Sequence, residues 1–150
     1  SDVYKRQISH DATSPLAFII TGVNESILYM TDTGYVSQKN RKYLNNLDYY
    51  IVESNHDVEM LMATKRPYFL KQRIHGDLGH LNNEYSAKMM VELIGDKTKE
   101  IVLAHLSEEA NTKEKALETY RKIFNQNNLE FDNIKVASQI DVVSGGNYED

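Results

Sequence analysis

The sequence contains no cysteine. Disulfides and thiolate metal ligands are therefore excluded, and any metal must sit on histidine, aspartate or glutamate. That usage fits a cytoplasmic protein. No apolar run approaches the ~20 residues that a membrane-spanning helix needs, and the polar opening from Ser1 to Gln7 lacks the apolar core of a signal peptide. A glycine-rich phosphate loop, a Gly-x-Ser-x-Gly elbow and a dinucleotide fingerprint are all missing. Nucleotide kinases, serine hydrolases and dehydrogenases are left without support. The net charge of −5 argues against non-specific nucleic-acid binding. Positive residues nonetheless gather between residues 39 and 73, at Lys39, Arg41, Lys42, Lys65, Arg66, Lys71 and Arg73. Such a strip can hold phosphates or form a solvated helix face.

What is present describes one soluble domain. The 150 residues are 41% hydrophobic and 26% charged, enough to bury a real core. Residues 1–7 do not lead into the pattern that follows and read as a non-native leader, residues 8–143 as the domain, and residues 144–150 as a frayed tail. Alternation and turn residues predict a hairpin of strands at 16–21 and 27–30, then a short polar helix at 39–47 and a buried strand at 48–53. A helix over 57–63 breaks near Pro67 and resumes over 68–74. Asn82 or Asn83 caps the next helix, whose buried face is Ala87, Met90, Val91 and Ile94. Residues 100–104 are continuously apolar, as in a strand covered on both faces. Asn111 then caps a long helix with Glu114 completing a capping box, and a last strand lies at 135–138. Strands alternating with helices give an α/β layered fold.

Three segments place a candidate metal ligand just past a strand: Ser9-His10-Asp11, Thr31–Gly34 with Asp32, and Ala104–Ser107 with His105. Imidazole and carboxylate suit a catalytic zinc or manganese. Each residue has an ordinary alternative. His10 can be an exposed loop histidine and Asp32 a turn residue. Asp-Thr-Gly also matches the aspartic proteases, whose chemistry needs two such carboxylates sharing a proton; the chain has no second copy. His105 emerges at a strand end, where α/β folds place ligands. His80 follows Gly79, which permits close backbone approach. His80 can therefore serve as a proton donor to a leaving oxygen or simply begin a helix. Glu53-Ser54-Asn55-His56-Asp57 crowds five polar residues at the end of a buried strand, a setting in which Glu53 and His56 can orient ligand imidazoles. His75 has no assigned role.

Six segments together resemble the carboxy-terminal portion of the YycJ (WalJ) family of metallo-β-lactamase-fold hydrolases: Ser-His-Asp-Ala at 9–12, Thr-Asp-Thr-Gly-Tyr-Val at 31–36, Glu-Ser-Asn-His-Asp-Val-Glu-Met-Leu at 53–61, Arg-Pro-Tyr-Phe-Leu-Lys-Gln-Arg-Ile at 66–74, Gly-His-Leu-Asn-Asn at 79–83 and Ala-His-Leu-Ser-Glu-Glu-Ala-Asn at 104–111. The resemblance implies the carboxy-terminal half of an αββα sandwich. It also implies two divalent metal ions, zinc or manganese, at one edge of the sheets. His10, Asp32 and His105 would be metal ligands, Asp32 bridging; His80 would assist proton transfer; Glu53 and His56 would buttress the site. The implied activity is phosphodiester hydrolysis of exonuclease type, on DNA more than RNA. One departure matters: the upstream His-x-His-x-Asp-His cluster of such enzymes occurs nowhere in this sequence. The chain alone is therefore expected to bind metal weakly and turn over poorly, and to self-associate through exposed sheet surface. The rival expectation is a non-catalytic α/β domain, with structural histidines, that associates with proteins.

Overall fold

The computed structural model describes residues 4–7, 16–31, 42–75 and 79–137. They contain one six-stranded sheet whose strand order follows the chain. Strands β1 (Tyr4–Gln7), β2 (Leu16–Thr21) and β3 (Ser26–Thr31) are antiparallel, and β4 (Tyr49–Glu53), β5 (Glu100–Ala104) and β6 (Ile134–Val136) run parallel to β3. Parallel neighbours need long crossovers. Helices α1 (Val58–Ala63), α2 (Tyr68–His75) and α3 (Asn83–Leu93) carry the chain from β4 to β5, and α4 (Lys113–Gln126) from β5 to β6. None of the described helices is long and apolar enough to cross a membrane.

Strand register makes one face of the sheet apolar across its width. Ile19, Leu28, Tyr50 and Ile101 align in one row, and Met30, Val52 and Leu103 in the next. All seven are buried in a single core with Ala87, Met90 and Leu93 of α3 and Ala116, Tyr120, Ile123 and Phe124 of α4. A one-residue slip would turn both rows away from these helices. The opposite face carries Ile27, Tyr29, Ile51 and Val102, none of them buried. The expectation that residues 100–104 are covered on both sides is thus corrected: β5 alternates, with Ile101 and Leu103 buried and Val102 half-buried.

Three local expectations also change. Residues 42–47 form turns rather than part of a helix. Asn46 is left-handed at φ 52°, and its N–H goes to Leu93 O at 2.7 Å instead of to a helical ladder. A Cβ at Gly95 would meet the Asn46 side chain, which would then have to move. The N-cap of α4 is Thr112, whose hydroxyl accepts from Lys115 N; Asn111 is used elsewhere. Tyr4–Gln7, set aside as a leader, pairs with β2 as an edge strand. An open edge presents N–H and C=O groups to any extended segment beside it, so the pairing speaks to backbone geometry and not to the origin of these residues. Residues 144–150 lie outside the described residues.

Candidate metal centre

Strand β4 ends by delivering Glu53 into a fully buried position. Its Oε2 accepts hydrogen bonds from Nδ1 of His80 at 3.0 Å and Nδ1 of His105 at 2.9 Å. Its Oε1 accepts from the Leu81 N–H at 2.7 Å. Burial alone would raise the Glu53 carboxyl. The hydrogen bonds from His105 and His80, the His80 charge and the Leu81 N–H outweigh it and hold the group below the ordinary glutamate range. An ionised carboxylate only accepts, so both Nδ1 atoms carry a proton, and a ring that is neutral then has its lone pair on Nε2. This carboxylate–histidine arrangement is how proteins aim imidazoles at a metal.

Two backbone features bring the rings together. At Gly79 a Cβ would run into the carbonyl oxygens of Ile74 and Arg73. Only glycine lets the chain fold back over the end of α2, where His80 N donates to Ile74 O at 2.8 Å. His105, directly after β5, is left-handed at φ 62°, a conformation that costs a non-glycine residue on the order of 1 kcal/mol. Asn55 holds it there: its Nδ2 donates to His105 O at 2.8 Å, and its own carbonyl accepts from Ser107 N at 2.7 Å. The ring centroids of His80 and His105 are 6.0 Å apart.

Behind this pair lies a buried polar network. Ser54 Oγ donates to Asn83 Oδ1 at 2.6 Å, and Asn83 and Asn111 exchange amide hydrogen bonds at 2.8 and 2.9 Å. Asn111 Nδ2 also reaches the carbonyls of Ser54 and Asn55 at 2.9 and 3.1 Å. The strand end, the start of α3 and the loop after β5 are thereby tied into one unit. His56 is buried, and burial first, with the neighbouring His75 and His80 charges, pushes its pKa down to about 4. The neutral ring donates from Nδ1 to Asn55 Oδ1 at 3.1 Å and accepts at Nε2 from His75 Nδ1 at 3.3 Å. His56 is therefore linked to the His105 backbone through Asn55, and neither of these two ring hydrogen bonds goes to His80 or His105.

The imidazoles open into a cleft of about 360 Å³ that is also lined by Asn55, Arg66, Ser107, Glu108 and Glu109. The side chain of His80 is 33% exposed and that of His105 is 48%. Glu53, His80 and His105 each offer a ligand atom, all within 4.8 Å of one another. The 2.9–3.0 Å contacts to Glu53 are hydrogen bonds, so we take Glu53 as the group that orients the two imidazoles. An imidazole Nε2 held in this way fits a divalent cation of the zinc or manganese type.

Of the residues expected in the site, Glu53, His80 and His105 converge, and His56 stands one residue removed. His10 and Asp32 lie outside the described residues. Asn55, Asn83, Asn111 and His75 escaped sequence reasoning. The crowded segment at 53–57 pointed to Asn55, whereas Asn83 and Asn111 were read as helix caps, the local use that asparagine most often has.

No family model matches the chain. It is 44% identical over 115 residues to exodeoxyribonuclease WalJ of Streptococcus pneumoniae, a match spanning 77% of this chain and 43% of that protein. It is 43% identical over 109 residues to exodeoxyribonuclease YycJ of Bacillus anthracis, over 73% of this chain and 41% of that protein. The chain thus spans less than half the length of these relatives. Among solved structures, the metallo-β-lactamase fold protein YhfI from Bacillus subtilis superposes with a TM-score of 0.60 at 16% identity, over 91% of this chain and 46% of that one. The α/β architecture is therefore half of a metallo-β-lactamase fold.

Proposed function

The chain belongs, over the stretch that aligns, to the YycJ family of metallo-β-lactamase-fold proteins, and on that premise we propose that it is part of a metal-dependent phosphodiester hydrolase of exonuclease type acting on DNA in preference to RNA. The observation that carries this is one buried carboxylate, Glu53, gathering the Nδ1 atoms of both His80 and His105 at the mouth of an open cleft. His105 presents Nε2 as a metal ligand, with His10 and Asp32 as further ligands. Zinc or manganese held there would supply Lewis acidity toward a phosphodiester oxygen. His80, whose Nδ1–H is held by Glu53, takes up a second proton at Nε2 and passes it to the leaving oxygen, and the Glu53 charge stabilises the ring while it carries that proton. His56 and Asn55 keep His105 in its strained backbone conformation.

This chain lacks the His-x-His-x-Asp-His cluster, so the 150 residues alone bind metal weakly and turn over far more slowly than a full-length relative. A chimera tests the proposal. With this chain replacing the matching stretch of a full-length relative, metal-dependent release of nucleotides from labelled DNA is expected, and His105→Ala abolishes it. A folded chimera without nuclease activity would refute the assignment. The partly exposed apolar face with Ile27, Tyr29, Ile51 and Val102 supports self-association of the isolated chain. Sedimentation velocity showing only monomer at high concentration would remove that part.

A further inference from the structure

The guanidinium of Arg66 and the carboxylate of Glu109 face each other across the cleft that holds His80 and His105. We propose that this pair is a displaceable latch: Glu109 occupies the place on Arg66 that a phosphodiester of the substrate takes. The proposal rests on the phosphodiesterase assignment and adds to it the residue that anchors the phosphate.

Four observations carry it. First, the contact is a single one, Arg66 Nε to Glu109 Oε2 at 3.1 Å, with side chains 31% and 63% exposed. Exposed pairs of this kind contribute only ~0–1 kcal/mol, so exchange for a stronger anion is cheap. Carboxylate and phosphate oxygens offer a guanidinium the same bidentate acceptor geometry. Second, the partners are 43 residues apart in sequence. Arg66 precedes α2 and Glu109 lies in the loop after β5, so the pair bridges two walls of the cleft. Third, residues 60–75 contain Lys65, Arg66, Lys71 and Arg73 and no aspartate or glutamate, in a chain with 22 acidic and 17 basic residues. Positive charge is thus concentrated in the sequence segment that carries Arg66, and Lys71 donates to the Met62 carbonyl rather than to an acid. Fourth, Arg66 precedes Pro67, whose ring confines the preceding backbone to extended geometry, and the Pro67 carbonyl anchors α2 by accepting from Leu70 and Lys71 N at 3.0 and 3.1 Å. The guanidinium is projected from a stiff point.

The consequence is a gate of one sign. Glu108 and Glu109 at the mouth repel an anion that cannot win Arg66, whereas a phosphodiester that wins it swings Glu109 aside.

The test is fluorescence anisotropy of a labelled single-stranded phosphorothioate oligodeoxynucleotide on the full chain, in EDTA and at low salt. Arg66→Ala should weaken binding at least about tenfold, the loss of a charge-assisted hydrogen bond, and lower the log–log salt slope by about 0.7. Arg66→Lys should fall between wild type and alanine. Glu109→Gln should tighten binding about two- to fivefold, because the weak pair is no longer broken. Glu108→Gln makes the same charge change one residue away and should tighten binding less. Melting curves confirm that all four variants fold. Arg66→Ala and Glu109→Gln weakening binding together, equal tightening by the two glutamine variants, or no binding by wild type would each overturn the latch. Metal is absent throughout, so failure here is distinct from failure of the hydrolase assignment, which the chimera judges separately.

Discussion

Strand β4 has a buried carboxylate at each end, and the two do different work. At its amino end Asp48 Oδ2 accepts from Ser26 N at 2.8 Å and Ser26 Oγ at 3.1 Å. The ammonium groups of Lys97 and Lys99 stand 3.7 and 4.0 Å from its oxygens. At its carboxyl end Glu53 accepts from two imidazoles and one backbone N–H. Backbone amides and lysines have no alternative tautomer to select, so Asp48 only joins the start of β3 to the start of β4. Imidazoles do have one, so Glu53 also decides which ring nitrogen faces the cleft. Burial and charge are alike at the two ends; the kind of donor separates a staple from a chemical site.

The largest effect expected belongs to the network supporting the Glu53 end. Asn111→Ala removes donors to two carbonyls and the partner of the Asn83 amide, and should cost about 2–4 kcal/mol. Urea unfolding should show a lower midpoint with an unchanged slope. A shift within error would mean that the network does not brace the site. Next is Glu53→Gln, which offers an N–H where Oε2 stood and forces at least one ring to the other tautomer. Zinc affinity by calorimetry should drop about 10–100-fold, while Asp48→Asn leaves it unchanged. Equal losses in both variants would erase the distinction between the two ends.

Protonation sharpens the contrast at the Asp48 end. Its carboxyl is held below the ordinary value of 3.8, chiefly by the Ser26 N–H; burial opposes this, and the Ser26 hydroxyl and the two lysines assist. The folded value lies under the unfolded one, so the stability that Asp48 contributes is complete above 3.8 and is lost as pH falls through the folded value. Denaturation midpoints measured from pH 5 downward should therefore fall less steeply in Asp48→Asn than in wild type; parallel curves would remove the staple. The smallest effect is at Lys99, whose Nζ pairs with Glu25 at 2.9 Å on the surface. Lys99→Gln should shift the midpoint only slightly, and 1 M salt should erase the shift. A large, salt-insensitive loss would show that the lysine is more than an accessory to Asp48.

Much of this was legible in the sequence because it is local. Hairpin, strand ends and helix faces follow from alternation and spacing, and the strand-end histidine at 105 together with Gly79-His80 marked two walls of the cleft. What stayed hidden was non-local. Nothing near Asn111 shows that its amide turns inward to Ser54, Asn55 and Asn83 rather than capping a helix, since the capping signal at Thr112 looks the same one residue earlier. His75 has no local signal, because its partner His56 arrives only when α2 folds against the end of β4. The half-buried state of Val102 likewise depends on what covers the sheet, not on the apolar character of β5.

The central claim is that Glu53 presets both imidazoles with Nε2 toward the cleft. Long-range proton–nitrogen correlation spectra of the metal-free chain at mildly alkaline pH address it directly. The account predicts that His80 and His105 both carry their proton on Nδ1, and that the Nε2 resonance of His105 shifts on adding zinc. Protonation of either ring at Nε2 alone, or a His105 spectrum indifferent to zinc, would contradict it.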